Sequence, residues 1–289
     1  MTEDIQTDIA QFPIRELSAR TQVNTVTLRA WERRYGLLKP QRTAKGHRLY
    51  SEEDVASIEK ILALVARGVP IGKVKPLLGG DLDLVPSNDE AQTWQAAIVK
   101  FITAAQSFSS SKVEHLIQEA FSQYPAPICR ERLLEPAFSE LALATDHGAA
   151  FGFAESELMR YVVMRLSAKT AKKKRAVAVT LVAGNQAPLW RMALMAIELT
   201  DAELSVQLIY RPFTAAAGIE LAGNLGEAYT VFYQDGVWKD KEQKIVTAAL
   251  QKNERLLMCG TASSLTIKGL PGRVFADVGT CIEGLLALS

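Results

Sequence analysis

The sequence predicts a multidomain protein of mixed α and α/β class: a small helical domain, a helical bundle and a C-terminal parallel sheet, in that order along 289 residues. Apolar residues recur with helical spacing through the first half of the chain. After residue 172, short apolar runs alternate with helical segments, and this alternation predicts parallel strands with helices on both faces. A third observation, the uneven distribution of charge, separates the first domain from the rest.

The N-terminal part of the chain is strongly basic. Residues 12–79 hold 13 of the 33 Lys and Arg residues but 6 of the 32 Asp and Glu residues. Their net charge is +7, whereas the remainder carries −6. A basic module joined to an acidic remainder predicts that only the N-terminal part meets a polyanion.

The overall composition is that of a packed soluble protein, with 48% apolar and 22% charged residues. The cysteines Cys129, Cys259 and Cys281 are widely spaced and form no CxxC pair. They predict reduced thiols in the cytoplasm and no metal site. We find no signal peptide at the start and no apolar run of the roughly 18–20 residues that a membrane span needs. Residues 1–11 are expected to form a loose tail.

The first domain, residues 12–79, reads as a series of short helices with a basic hairpin between them. A short helix from Ile14 is followed by a turn near Gln22, and a second helix begins at about Asn24. Ser51 and Asp54 resemble a capping box that starts a long apolar-faced helix, which ends at Arg67-Gly68. A last short helix runs to Leu78.

The second helix has the two faces that a helix in the major groove requires. Leu28, Trp31 and Tyr35 recur at helical spacing and form an apolar back. Asn can pair with adenine, Arg with guanine, and a Thr methyl can touch the thymine methyl. The residues left for the polar front are Asn24, Thr25, Thr27, Arg29 and Arg33.

The basic hairpin spans residues 39–50, with Gly46 where a tight tip needs positive φ. Four side chains flank the tip and are expected to hold phosphate or the minor groove: Arg42, His47, Arg48 and Tyr50. A plainer interpretation makes Arg29, Arg33 and Arg34 a solvated helix face paired with Glu32. The adjacent basic hairpin favours DNA contact instead.

Beyond a Gly-, Pro- and Asp-rich linker at residues 80–89, residues 90–171 predict a four-helix bundle. One apolar helix face includes Trp94, Ile98 and Phe101. The prolines of Pro125-Ala126-Pro127 are expected to interrupt the helical pattern. Residues 172–289 then alternate strand and helix, beginning with the buried run Ala176–Val182. This last domain is predicted to be a doubly wound parallel sheet of the flavodoxin or Rossmann type.

Two motifs together carry a resemblance to a known family. Residues 27–38 read Thr-Leu-Arg-Ala-Trp-Glu-Arg-Arg-Tyr-Gly-Leu-Leu, and Pro40-x-Arg42-x3-Gly46-x-Arg48-x-Tyr50 follows. These motifs resemble those of the winged helix-turn-helix head of the MerR family of transcription regulators, in the branch of MlrA, CarA, CarH and LitR. The resemblance extends over nearly 70 residues of the first domain. The resemblance implies a homodimer on palindromic promoter DNA that acts on RNA polymerase indirectly.

The chain departs from the wider family directly after the head, where residues 79–89 form a loop in place of a long coiled-coil helix. We therefore expect dimerisation to use the C-terminal blocks or to occur on DNA.

In the CarH branch, a bundle and a doubly wound domain bind cobalamin, and this chain has the same order of domains. The resemblance places the family's cobalt-binding His at Ala187 and its second loop Gly at Trp190. No Glu-His pair occurs near Glu155, and no Trp lies about ten residues upstream. Since Ala cannot ligate cobalt, we expect a degenerate domain with no cobalamin and no metal.

What this C-terminal region does instead is left open by the residues. Regulation without a ligand is one interpretation, and sensing a cyclic dinucleotide or another small molecule is a second. A light sensor using adenosylcobalamin is disfavoured by Ala187. The expected ends of two strands give weak candidates for a ligand pocket: Asn185, Gln186 and Arg211.

Other polar residues carry no specific signal. His115 is expected at a surface or boundary, His147 at a helix C-terminus, and Lys172–Arg175 in a solvated linker. Asp235-Gly236 is expected to form a tight turn. No phosphate loop, nucleophile elbow or carboxylate pair indicates catalysis, so we expect no catalytic residue and no enzyme.

Overall fold

The computed structural model describes residues 11–79, 88–143, 148–169, 177–226, 228–267, 269–270 and 272–288. The chain divides into two compact units, residues 1–150 and 151–289, and each is described by itself. Nearly all of the predicted tail and linker lie outside the described residues, as do His147 and Lys172–Arg175.

The N-terminal domain is built from four short helices and a two-stranded antiparallel hairpin, in which Gln41 pairs with Leu49 and Arg42 with Arg48. The second helix continues without a break into a wider π-helical turn at Trp31–Tyr35. The elements are α1 Ile14–Thr21, α2 Thr25–Ala30, β1 Gln41–Arg42, β2 Arg48–Leu49, α3 Glu52–Ala66 and α4 Ile71–Val74.

The predicted local signals are confirmed in this domain. The backbone N–H of Ser51 donates to Oδ2 of Asp54 at 2.9 Å, which completes the capping box at the start of α3. Gly46 has φ +79° at the tip of the hairpin. The apolar back of the second helix lies in the core, where Leu28 and Trp31 are fully buried. Buried apolar area of this kind is the main source of the domain's stability.

The rest of the first unit is helical: α5 Asn88–Gln106, α6 Ser110–Gln123, α7 Ala126–Cys129 and α8 Glu135–Leu143, with a π-helical segment at Arg130–Leu134. Helix α5 packs against both α6 and α8 through buried residues such as Phe101 and Phe138, whose ring centroids are 5.9 Å apart. The predicted break is confirmed, because α6 ends just before Pro125. The next helix, α9 (Gly148–Lys169), runs on into the second unit.

The second unit contains a five-stranded sheet in which all neighbours are parallel. Its strands are β3 Ala178–Gly184, β4 Ser205–Phe213, β5 Tyr229–Tyr233, β6 Leu256–Cys259 and β7 Val274–Phe275. The order β4-β3-β5-β6-β7 is the flavodoxin-like order, which confirms the predicted fold class. All residues of β3 but its first are buried, as its apolar sequence requires.

The helices of this unit are α10 Leu189–Asp201, α11 Ala215–Asn224, α12 Asp240–Lys252, α13 Thr261–Thr266 and α14 Val278–Leu286. Four of them lie where the alternating pattern predicts a helix. The fifth, α13, was not predicted, because its six residues are mostly polar or small and show no helical periodicity.

Candidate nucleic-acid interface

Helices α1 and α2 form a helix-turn-helix whose turn is set by two residues. Gln22 ends α1 in the left-handed region, with φ +56°. Two residues later, the side-chain oxygen of Asn24 accepts a 2.8 Å hydrogen bond from the backbone N–H of Val26. This cap satisfies one of the unpaired N–H groups at the start of α2 and fixes where the helix begins.

The solvent face of α2 and its π-helical extension is basic. Arg29, Arg33 and Arg34 are exposed, as the sequence predicts, and Thr25 is half-buried. Val26 shares this face and is 58% exposed, although it is not among the residues predicted to contact DNA. The signal was present in the spacing, because Val26 is out of phase with Leu28 and Trp31 on the apolar back.

Three residues predicted to contact DNA are buried, and this corrects the prediction for them. Asn24 is 8% exposed and serves as the helix cap, whereas Thr27 and Tyr50 are each 1% exposed. Tyr50 belongs to the apolar core of the head. Burial also raises the pKa of the Tyr50 hydroxyl to about 12. A side chain inside the head cannot reach a base edge or a phosphate.

The β1–β2 hairpin lies beside the second helix and is tied to it through Glu32. The guanidinium Nε of Arg48 donates a 2.6 Å hydrogen bond to the Glu32 carboxylate, and Nη2 of Arg42 lies 3.6 Å from its other oxygen. The bond to Glu32 raises the pKa of Arg48. Arg48 is therefore partly used to position the hairpin, while Arg42 and His47 at its surface are exposed.

Trp31 anchors the second helix to helix α6. Its indole Nε1 donates a 2.7 Å hydrogen bond to the backbone carbonyl of Gln123. In a continuing helix that carbonyl would accept from the N–H four residues later, but this residue is Pro127, which has no N–H. The neighbouring Tyr124 packs against the core of the head, and burial raises the pKa of its hydroxyl.

The carboxyl edge of the sheet, where doubly wound folds place ligands, is occupied by side chains of this chain. The Gln234 carboxamide oxygen accepts from the backbone N–H of Gln186 at 3.1 Å, and a Cβ on Gly236 would overlap the Gln186 side chain. Asp235 accepts from the backbone N–H of Thr261 at 2.9 Å.

Helix α9 lies directly against the first turn of α10. The Glu155 carboxylate accepts a 3.0 Å hydrogen bond from the backbone N–H of Trp190, whose ring is buried. Burial raises the pKa of Glu155, and hydrogen bonds from the backbone of α10 oppose part of that shift. At the other end, Nη2 of Arg165 donates to both carboxylate oxygens of Asp201, at 2.8 Å to Oδ1 and 2.7 Å to Oδ2. These contacts hold α9 over the start and the end of α10.

The predicted pocket residues are not gathered into one enclosed site. Asn185 and Gln186 are exposed in the loop after β3, and Arg211 is exposed near the end of the edge strand β4. Their role in ligand binding stays a prediction.

His115 is exposed, and the three cysteines are buried and unbridged. Among the described residues, no cluster of three or more His, Cys, Asp or Glu is placed to hold a metal ion. No described helix meets the length and apolarity that crossing a membrane requires.

Comparison with known proteins identifies the N-terminal domain. Residues 12–80 match the family described as MerR HTH family regulatory protein. The chain is 33% identical over 168 residues to the HTH-type transcriptional regulator MlrA of Salmonella typhimurium strain SL1344 and, likewise, of Escherichia coli strain K12. Each alignment covers 58% of this chain and 66% of the relative, just under two thirds of its length. The HTH-type transcriptional repressor CarH of Myxococcus xanthus is 28% identical over 140 residues, 44% of this chain and 45% of CarH.

Proposed function

We propose that this chain, whose residues 12–80 form a MerR-family helix-turn-helix domain, is a DNA-binding transcription regulator similar to MlrA. The observation that carries the proposal is the exposed basic face of the second helix beside a basic hairpin that Glu32 holds in place. A helix presents base-reading side chains in the major groove, and a hairpin beside it can hold the flanking phosphates.

We assign base contact to the exposed face of the second helix: Thr25, Val26, Arg29 and Arg33. The Val26 methyls would take the role of the buried Thr27 against a thymine methyl. The hairpin residues Arg42 and His47 would contact phosphate, with Lys45 at the same tip. Arg48 would do so only in part, because Glu32 already holds its Nε.

The DNA site is proposed to be a promoter palindrome bound by a homodimer. An isologous dimer presents two identical helices, so the operator must repeat with the matching two-fold symmetry and helical spacing. Any effect on RNA polymerase would be indirect, through the geometry of the promoter DNA.

The DNA-binding proposal is tested by fluorescence anisotropy on the DNA upstream of this protein's own gene. The logarithm of the binding constant should fall linearly with the logarithm of salt, by a slope of about 0.9 for each phosphate contacted. Arg29→Ala and Arg33→Ala should each weaken binding by about 1–3 kcal/mol. Arg20→Ala is the matched control, because Arg20 is already paired with Glu16 and Glu52.

Two results would overturn the assignment. One is binding that does not weaken with salt on any genomic fragment. The other is equal loss of affinity in Arg20→Ala and the two helix variants, because the loss would then reflect total charge and not position.

We further propose that the C-terminal domain works without cobalamin, because its residues do not fit that group. The chain has three histidines and none lies after His147, so the domain offers no imidazole to cobalt. Ala187 and Trp190 stand where the resemblance requires His and Gly. At this edge of the sheet, the backbone N–H of Gln186 donates to the Gln234 side chain, and the Trp190 ring is buried. Protein incubated with cobalamin should be colourless after desalting, and a retained visible band would refute this proposal.

A further inference from the structure

A groove runs along the α5–α6 pair of the first unit. In its part nearest the turn between the two helices, it has a volume of about 450 Å³. The lining side chains recur every three or four positions along each helix, which is the spacing of one helix face. They are Val99, Lys100, Thr103, Ala104 and Ser107 of α5, and Ser111, Lys112, His115 and Leu116 of α6. The groove is therefore formed by one face of each helix.

The groove is longer than this first part. Through Lys100 and Leu116, which line both parts, it continues into a second hollow of about 500 Å³. Along α5 the two parts together extend from Thr93 to Ser107, a distance of about 21 Å at the helical rise per residue. A groove that follows four helical turns matches the length and shape of an α-helix laid along it.

The first part of the groove offers accessible apolar surface. Val99 lines it and is 50% exposed, and Leu116 is half-buried where the two parts meet. Phe108, in the turn at the end of the groove, is 55% exposed. Apolar surface of this kind gains roughly 25 cal/mol for each Å² that a partner removes from water. Because these side chains reach the solvent, a partner can contact them directly.

The rim of the first part is basic. Lys100, Lys112 and His115 line it and are exposed, and no acidic residue lines it in the described part of the chain. Glu119 lines the second part, where its carboxylate accepts a 3.1 Å hydrogen bond from the Gln123 side chain. Basic side chains beside apolar surface complement a helix that carries acidic residues along the border of an apolar face. DNA would offer phosphates but no comparable apolar face, so the exposed Val99 favours a helix as the occupant.

We propose that this groove docks an acidic amphipathic helix of a partner protein. The apolar face of that helix packs on Val99 and Leu116, and its carboxylates lie next to Lys100 and Lys112. The groove lies outside residues 12–80, which match the DNA-binding family. Docking is therefore independent of the proposed DNA contacts, and each can fail without the other.

The test uses a fluorescent 16-residue helical peptide with leucine along one face and glutamate along the other, titrated with the full chain without DNA. Lys100→Glu and Lys112→Glu reverse the charge of the rim, and Thr103→Trp fills the groove from an exposed position. Lys244→Glu is the matched control, because Lys244 is an exposed lysine that lines a groove of about 420 Å³ along α12.

Fluorescence anisotropy should show that the acidic peptide binds the parent chain. Affinity should fall at least about threefold in each rim variant and about tenfold in Thr103→Trp, but stay within about twofold in Lys244→Glu. Added salt should weaken binding to the parent more than binding to the rim variants, because it screens the charges that those variants remove. A peptide with lysine in place of glutamate should bind about tenfold more weakly.

Four results would overturn the proposal. One is no binding of the acidic peptide at millimolar concentration, and another is equal affinity in the parent and all variants. A third is loss of DNA affinity in Lys112→Glu with unchanged peptide affinity, which would assign the rim to DNA. The fourth is a change in the mass of the free chain in Thr103→Trp, measured by analytical ultracentrifugation, because the groove would then hold a second copy of this chain. Lys100→Glu and Lys112→Glu, both at exposed positions, keep the test decisive should Thr103→Trp fail to fold.

Discussion

The indole Nε1 of Trp31 lies 2.7 Å from the backbone oxygen of Gln123, a residue 92 positions later in the chain. The bond joins the back of the second helix to the last turn of α6. Because Pro127 has no N–H, the Gln123 carbonyl lacks the donor that a continuing helix would give it. The indole N–H of Trp31 takes that place.

Trp31→Phe is expected to destabilise the first unit by at least about 1–3 kcal/mol, because the Gln123 carbonyl loses its donor and the smaller ring leaves part of the buried indole volume empty. DNA affinity should also fall, because the second helix loses the hydrogen bond that holds it against α6. Urea denaturation and anisotropy measure the two effects. Trp238→Phe is the matched control, because Trp238 donates a comparable 3.1 Å bond to Ser263 within the second unit. Equal effects of both variants on DNA binding would contradict the anchoring role.

Glu32 should be coupled to Arg48 more strongly than to Arg42. The first pair is joined at 2.6 Å between half-buried side chains, whereas the second is separated by 3.6 Å and Arg42 is 55% exposed. Double-mutant cycles on the free energy of unfolding should give about 0.5–1 kcal/mol for Glu32 with Arg48 and close to zero with Arg42. The reverse order would show that the hairpin is not positioned as described.

Val26→Ala should weaken binding to the operator by about 1 kcal/mol, or roughly fivefold, because it removes methyl groups that bury against a thymine methyl. Stability should not fall, since Val26 is exposed and Ala favours helix. Anisotropy on the operator and on a variant with uracil in place of thymine identifies the contact, because the loss should vanish on the uracil DNA. An equal loss on both DNAs would remove Val26 from the base-reading set.

Tyr50→Phe should leave DNA affinity within twofold of the parent, although Tyr50 stands in the family motif. Its hydroxyl is buried and has no hydrogen-bond partner among the described residues. Removing an unsatisfied buried hydroxyl should leave the free energy of unfolding unchanged or raise it by about 1 kcal/mol. A large loss of DNA affinity in a fully folded Tyr50→Phe protein would restore the residue to the DNA-contacting set.

The stability of the second unit should depend on pH through Glu155. Because burial raises its folded-state pKa above the ordinary value, the folded protein keeps a proton that the unfolded chain has already released. The stability that this group contributes is full below the unfolded pKa, about 4.3, and is lost as the pH rises through the folded pKa. Glu155→Gln removes this titration, so the free energy of unfolding of the parent relative to the variant should fall as the pH rises above the unfolded pKa of about 4.3. Parallel pH profiles from urea denaturation would contradict the assignment.

The sequence by itself determined the class of each domain and most of the local elements, although not the short helix α13. The capping box at Ser51 and the glycine at the hairpin tip act through neighbouring residues, and the buried strand run of β3 requires a sheet covered on both faces. Local spacing was therefore enough to predict the second helix, the hairpin and the parallel direction of the strands.

Only the tertiary structure decided which polar side chains of the second helix face outward. Helical spacing fixes positions relative to one another, but the rotation of a short helix is set by what it packs against. Here the six residues of α2 widen into a π-helical turn at Trp31, which shifts the phase of every later side chain. Packing against the head core and α6 buries Thr27 and joins Trp31 to Gln123. These contacts are distant in sequence, so local spacing, which does place Val26 off the apolar back, could not show that Thr27 is buried.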